Sequence, residues 1–374
     1  MTATAPTAST DLVCEALRNP QCLPALTPAA WDLLVRQARH ASLLARIACM
    51  LDAQGSIDAV PAAPRAHLRS AMTLAEAQHA EAMRELSCVD RALAPTGVRP
   101  VLLTDAAYVA AGLLPAMGRV FSRIAILVPV GRLPEVEAAL MSQGWATTHH
   151  SPYDQRYYRQ WMHELPPLRH IRRGTVLDVH HAILPDTARL KPSSAKLLAA
   201  ARPLAELKRY AVLDAPDMVL HGMVHLFHNN DHHQHSLRDL SDLDLLLRHL
   251  GRVPGFWATL VARARELGLA RPLFYGLRYA RSRLSTPVPG DILQAVSSDA
   301  PGLLAGWLSD ALWSRALRPR HATASDAWTP LALLALDLRA NWLRLPPAKL
   351  SHHLTAMALR PHQVRATASP RGAR

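Results

Sequence analysis

Apolar residues along this chain keep a helical period up to about residue 94, change to short Val/Leu/Ile runs from Val98, and return to helical spacing from Pro192. Thr27-Pro28 reads as an N-cap followed by proline at the first helical position, after which Trp31, Leu34, Val35, Ala38 and Ala45 recur on one face. Beyond a connector over Gly55 to Pro64, Leu68, Met72, Ala75, His79, Ala82, Met83, Leu86, Val89 and Leu93 hold helical spacing over many turns. From Pro192 onward Met218 to His228, Leu237 to Leu250, Pro254 to Leu267 and Pro272 to Leu284 read as separate helices. Two more are expected around Leu303 to Leu317 and Leu331 to Leu345.

The middle of the chain has the pattern of a small mixed layer of strands and helices. Val101 to Leu103 runs into a turn at Thr104-Asp105, and Arg119 to Val128 is a second apolar strand. Leu133 to Gly144 reads as a short helix closed by a C-cap glycine, and a third strand starts at Trp145. Leu168 to Ile171 is expected to pair with Thr175 to His181 across Arg173-Gly174. Because side chains alternate along a strand, Asp178 and His180 face one way, and Leu177, Val179 and His181 the other.

This order of elements resembles the uncharacterised bacterial nucleotidyltransferase family of the polymerase-beta-like superfamily, over roughly residues 25 to 290. In that family one strand ends in Leu-Lys-Gly. A second carries Arg and then Asp-Ile-Asp-Leu-Leu-Val, and a later one carries an acidic residue followed by Leu-His-Trp. Here Leu102-Leu103-Thr104-Asp105 takes the first position, so that Thr104 stands for the lysine and Asp105 for the glycine. The second motif keeps Arg119 and Ile126-Leu127-Val128, but its two aspartates fall on Arg123 and Ala125. The third survives as Asp178-Val179-His180-His181, with His181 replacing tryptophan.

The resemblance implies an α+β fold, a small nucleotidyltransferase-like mixed sheet flanked by N-terminal and C-terminal helical regions. It also implies a metal site of three carboxylates facing a triphosphate, of which Asp178 alone remains. Arg123 brings positive charge to where a metal would sit, Ala125 supplies no ligand, and Asp105 adds a Cβ and a negative charge beside the expected phosphate path. The reading is a catalytically impaired member of the family that acts through a nucleotide or other anionic ligand, or through an unknown protein partner. The alternative is an active enzyme with a shifted site. Asp178 with Asp105 or His180 would then serve magnesium-dependent chemistry, with Arg119 and Arg123 on the substrate. In the blander view Arg123 reaches solvent from a strand end and Asp105 caps the following helix.

Four other features carry candidate chemistry. Between His221 and His235 lie six histidines, and His221, His225 and His228 share a helical face, a spacing compatible with a histidine-dependent metal site. No H-E-x-x-H signature accompanies them, and packing and hydrogen bonding at a domain junction is the preferred reading. Arg238 and Asp239 are substrate-binding candidates or an ion pair that fixes that junction. Tyr157, Tyr158 and Trp161, interleaved with Arg156 and Arg159, could stack bases but are read as an edge strand. Leu331, Leu334, Leu338, Trp342 and Leu345 form a stripe read as core packing, although an interfacial membrane helix would look similar.

Composition changes this picture little. The 374 residues are 49% hydrophobic, enough for buried cores, and divide into a helical region (1–94), the α/β core (95–190), a second helical region (191–359) and a basic tail expected to be disordered (360–374). The net charge of +13 favours anionic partners, nucleic acid among them, although the excess is mostly arginine scattered along the chain. Cys14, Cys22, Cys49 and Cys88 form no metal-binding spacing and read as reduced thiols. With no secretory signal and no integral membrane segment in the sequence, a cytoplasmic location is expected.

Overall fold

A computed structural model describes residues 11–121, 123–149, 151–228 and 235–346. The expected basic tail, and His232 and His233 of the histidine cluster, lie outside the described residues. The chain opens with α1 (Leu12–Arg18), α2 (Pro28–His40), α3 (Leu44–Ala53) and the 32-residue α4 (Ala62–Leu93). Thr27 caps α2 as expected, its side chain accepting from the Ala30 amide. The helix expected to continue through Ala45 instead stops at His40, where Ser42 takes a positive φ of 56° and turns the chain into α3.

The mixed sheet is built from β1 (Val101–Leu103), β2 (Arg123–Leu127), β3 (Trp145–Thr147), β4 (Leu168–His170), β5 (Val176–His180), β6 (Arg202–Pro203) and β7 (Ala211–Val212). Their order is β3-β4-β5-β2-β1-β7-β6. The central strands β1 and β2 run antiparallel and β2 and β5 parallel, with Ala125 opposite Asp178. The β4–β5 pair forms the expected hairpin, turning through Gly174 at φ +76°. Between the strands lie α5 (Thr104–Ala110), α6 (Leu133–Ser142), α7 (Pro152–Arg156) and α8 (Ser194–Ala200). The sheet thus reaches into the segment expected to be wholly helical, because β7 lies parallel to β1 and brings β6 with it.

The tyrosine-rich segment is not an edge strand. Ser151 caps α7 by accepting from the Asp154 amide, Pro152 holds the first turn, and the chain continues as a π-helical turn over Tyr157–Trp161. These start signals outweigh the strand preference of the aromatic residues.

The remaining helices are α9 (Ala215–His228), α10 (Ser236–Leu250), α11 (Phe256–Glu266), α12 (Ala270–Leu284), α13 (Gly290–Ser297), α14 (Leu303–Ala316) and α15 (Thr329–Arg344). The α15 stripe does not pack into the core as expected. Leu331, Leu334, Leu338 and Trp342 are 56, 54, 48 and 45% exposed, and only Leu345 is buried. The buried face of α15 is instead Ala332, Leu336 and Ala340, whose smaller side chains let it lie close to α14 and α9. No helix among the described residues is long and apolar enough to cross a membrane.

Gly118, just before β2, fixes how the sheet meets α3. Its φ is +62°, and a Cβ there would run into the backbone of Ala45 and Arg46. Gly118→Ala should therefore destabilise the fold by about 2 kcal/mol or more through strain and overpacking together. A lower urea midpoint with an unchanged slope would be its signature.

Candidate functional site

Two groups of charged side chains gather where β1 ends and β2 begins. The first lies on the face shared by β2 and β5. Arg123 and Ala125 on β2 point to the same side as Val176, Asp178 and His180 on β5, because the two strands pair in register. The Arg123 guanidinium reaches along this face, placing Nη1 3.2 Å from Asp178 Oδ2. The carboxylate is buried, while the arginine side chain remains 55% exposed. The expectation that Arg123 extends toward solvent therefore holds together with a specific contact on Asp178.

His180, two residues further along the same face, has Nδ1 3.2 Å from Glu164 Oε2. His163 stacks on it with ring centroids 5.2 Å apart. Burial, followed by the charge of His180, holds the His163 imidazole well below the usual histidine range.

The second group is a buried network centred on Arg119. Its Nε donates to Asp105 Oδ1 at 2.9 Å, and Nη2 lies 3.2 Å from Asp242 and 3.5 Å from Asp239. Asp242 also binds Arg46 at 2.7 Å, and the same guanidinium donates to Ser241 Oγ and to the Pro115 carbonyl. Arg238 forks onto Asp239 with Nε and Nη2 both at 3.1 Å. Three guanidinium groups thus face three carboxylates, and the network ties α3, α5 and α10 to the start of β2. Burial works to raise the Asp239 carboxyl, but Arg238 and Arg119 outweigh it and hold it at about 2.

Asp105 was read as a helix cap. No side chain caps α5, and the Asp105 carboxylate turns to Arg119 instead, because a buried guanidinium binds an anion more strongly than a backbone amide does. Thr104, at the position of the family's lysine, has a positive φ of 43°. The left-handed residue of this turn is thus Thr104, one position before that of the family's glycine.

The structure therefore brings Arg119, Asp105, Arg238 and Asp239 into one network and Arg123, Asp178 and His180 onto one sheet face. Arg46, Asp242, Glu164 and His163 complete these groups and were missed as members. Arg46 carried one signal, a lone cation in the apolar run Leu43 to Leu51.

Of the histidine cluster, His221 and His228 are buried on α9 and His225 is partly exposed, 3.9 Å from Asp239. Burial and then His225 and His180 push the His221 imidazole down to about 3. Burial and then Arg339 and Arg344 do the same to His228, also to about 3. Two arginines beside His228 oppose a cation there. Among the described residues, no group of three or more histidine, cysteine or acidic side chains is arranged to hold a metal ion.

The sheet-face site does not fit a divalent metal. Ala125 supplies no oxygen, and Arg123 already sits on the Asp178 carboxylate. At an effective dielectric of about 20, a unit charge pair at about 4 Å interacts by about 4 kcal/mol, so a dication at that distance from the guanidinium would be repelled by about 8 kcal/mol. Losing two carboxylates removes the attraction that would offset this. Cavities of about 260 and 210 Å³ lie beside Trp257 and beside Glu164 and His181, and Asp178 lines neither.

Comparison with curated proteins and with solved structures returns no match. A family model described as an uncharacterised nucleotidyltransferase matches residues 27–285, which span the sheet, both charged groups and the helices α2 through α12. The chain belongs to this uncharacterised nucleotidyltransferase family.

Proposed function

We propose that this protein keeps the nucleotidyltransferase fold as a binding scaffold and has lost metal-dependent nucleotidyl transfer. The observation that carries this reading is the contact of Arg123 with Asp178, where a cationic side chain meets the one carboxylate left of the family's expected three. Asp105 offers no replacement, because Arg119 holds it in the buried network. What remains at the sheet face is a half-exposed guanidinium, suited to an anionic ligand or an acidic surface of a protein partner. Arg119, Asp105, Arg238 and Asp239 act in this account as the support that sets the start of β2 and therefore the position of Arg123.

Calorimetric titration with magnesium and each of the four nucleoside triphosphates tests this reading. No metal-dependent complex tighter than about millimolar is expected, since the charge that should attract the metal is reversed. A micromolar complex that requires magnesium and disappears in Asp178→Ala would overturn it.

A further inference from the structure

The helix pair α14–α15 lies beyond the span matched by the family and presents an apolar face to solvent. On α14, Leu303, Leu304, Trp307 and Leu308 are 94, 85, 72 and 51% exposed. The outward stripe of α15, a helix that packs against α14, adds further exposed apolar side chains, and Trp328 at its start is 64% exposed. Together these side chains expose on the order of 1,000 Å², well above an ordinary monomer patch of a few hundred Å² and enough for the roughly 800 Å² per partner of a stable interface.

The charged residues of the pair are engaged by neighbouring groups. Asp310 is held by Arg278 and Tyr279, and Arg315 by Asp326. Arg339 donates to the Phe227 carbonyl, Arg344 is buried, and Asp337 lies beside Arg320. In a chain of net charge +13, charge beside the exposed side chains of these two helices is sparse: the Arg189 guanidinium stacks over the Trp342 ring, 5.0 Å from its centroid, and Asp310 is paired with Arg278. A helix pair that binds a lipid surface carries lysine or arginine around its apolar face to meet the headgroups. A face rich in tryptophan and leucine, with charge sparse and paired or stacked at its edge, matches a homodimer interface, where the core is depleted of charge, aromatic residues are enriched and the rim is polar. Two copies related by a two-fold axis would lay this face on itself and complete a four-helix bundle, avoiding the like charge carried elsewhere on each subunit.

We infer that the α14–α15 face is a self-association surface and that its occupant is the same face of a second copy of this chain. The inference goes beyond the reading of the Asp178 site and does not depend on it.

Sedimentation equilibrium of the full chain at micromolar concentration should give twice the 41.0 kDa chain mass. Trp307→Glu and Leu334→Glu should each weaken the dimer by about 100-fold or more, since each substitution enters a two-fold interface twice. Both positions are exposed, so the circular dichroism and urea midpoint of the dissociated variants should stay close to those of the parent at matched monomer concentration. A monomeric parent at tens of micromolar would overturn the inference, and so would a dimer indifferent to both substitutions. Monomeric protein that sediments with phosphatidylserine vesicles, and stops doing so in the same variants, would assign the face to lipid and overturn it as well.

Discussion

Arg119→Met should cost the folded protein about 3–5 kcal/mol, the expected penalty for removing one partner from a buried ion-pair network. Arg119 is only 4% exposed and is the group on which Asp105, Asp239 and Asp242 converge. Removing it leaves Asp242 to Arg46 and Asp239 to Arg238, and takes from the largely buried Asp105 the guanidinium that holds it. Methionine fills much of the volume, so the loss reads on charge more than on packing. Arg119→Lys should recover only part of it, because an ammonium group cannot reproduce the forked contacts. The check is urea unfolding of the parent and both variants, with no ligand present. A cost below about 1 kcal/mol for the methionine variant would mean that Arg119 is not the keystone of the network.

Acidification should destabilise the protein once pH falls below the ordinary histidine range. His221 and His228 are buried and held at about 3, against about 6.5 in an unfolded chain. Below the unfolded value the unfolded state binds protons that the folded state refuses, so stability rises with pH. The contribution is fully present above about pH 6.5 and is lost as pH falls from there toward 3, by about 1.4 kcal/mol per pH unit for each histidine. Two such groups remove about 5 kcal/mol by pH 4.5, comparable with the whole stability of a small domain. His163 is depressed as well and acts in the same direction. Asp239, held at about 2, keeps its contribution down to about pH 4, since a depressed carboxyl loses its stabilisation only below its unfolded value near 3.9. Urea midpoints at pH 7.5, 6 and 5 measure the slope, and His228→Phe should flatten it. A midpoint constant over that range would contradict the account.

These two predictions rest on groups of different legibility. The sheet was readable in part: alternation over Val176 to His180 puts Asp178 and His180 on one face, the family resemblance alone set Arg123 and Ala125 beside them, and the strand expected over Arg119 to Val128 shrinks to Arg123–Leu127. The hairpin at Gly174 and the Thr27 cap were readable because turn and cap chemistry is local. The buried network was not. Arg46 and Ser241 are 195 positions apart in the chain, and nothing local pairs an arginine on one helix with an acidic helix that far away. The direction of α15 was hidden for another reason. Its alanine face and its leucine face are both apolar, so periodicity finds a stripe without saying which side meets the protein. The turn over Tyr157–Trp161 was misread because its aromatic residues were weighed without the start signals at Ser151 and Pro152.

The fold and the altered chemistry meet in one short stretch of β2. The strand keeps the apolar residues that pair it with β1 and β5, while its site-facing positions carry Arg123 and Ala125. Spin resonance of manganese added to the purified protein reads the consequence directly, because free and bound ions give distinct signals. The account predicts no site tighter than about millimolar in the parent, with a new site appearing in the double variant Arg123→Asp, Ala125→Asp, which returns two carboxylates beside Asp178. One tightly bound manganese per parent chain, lost in Asp178→Asn, would contradict it.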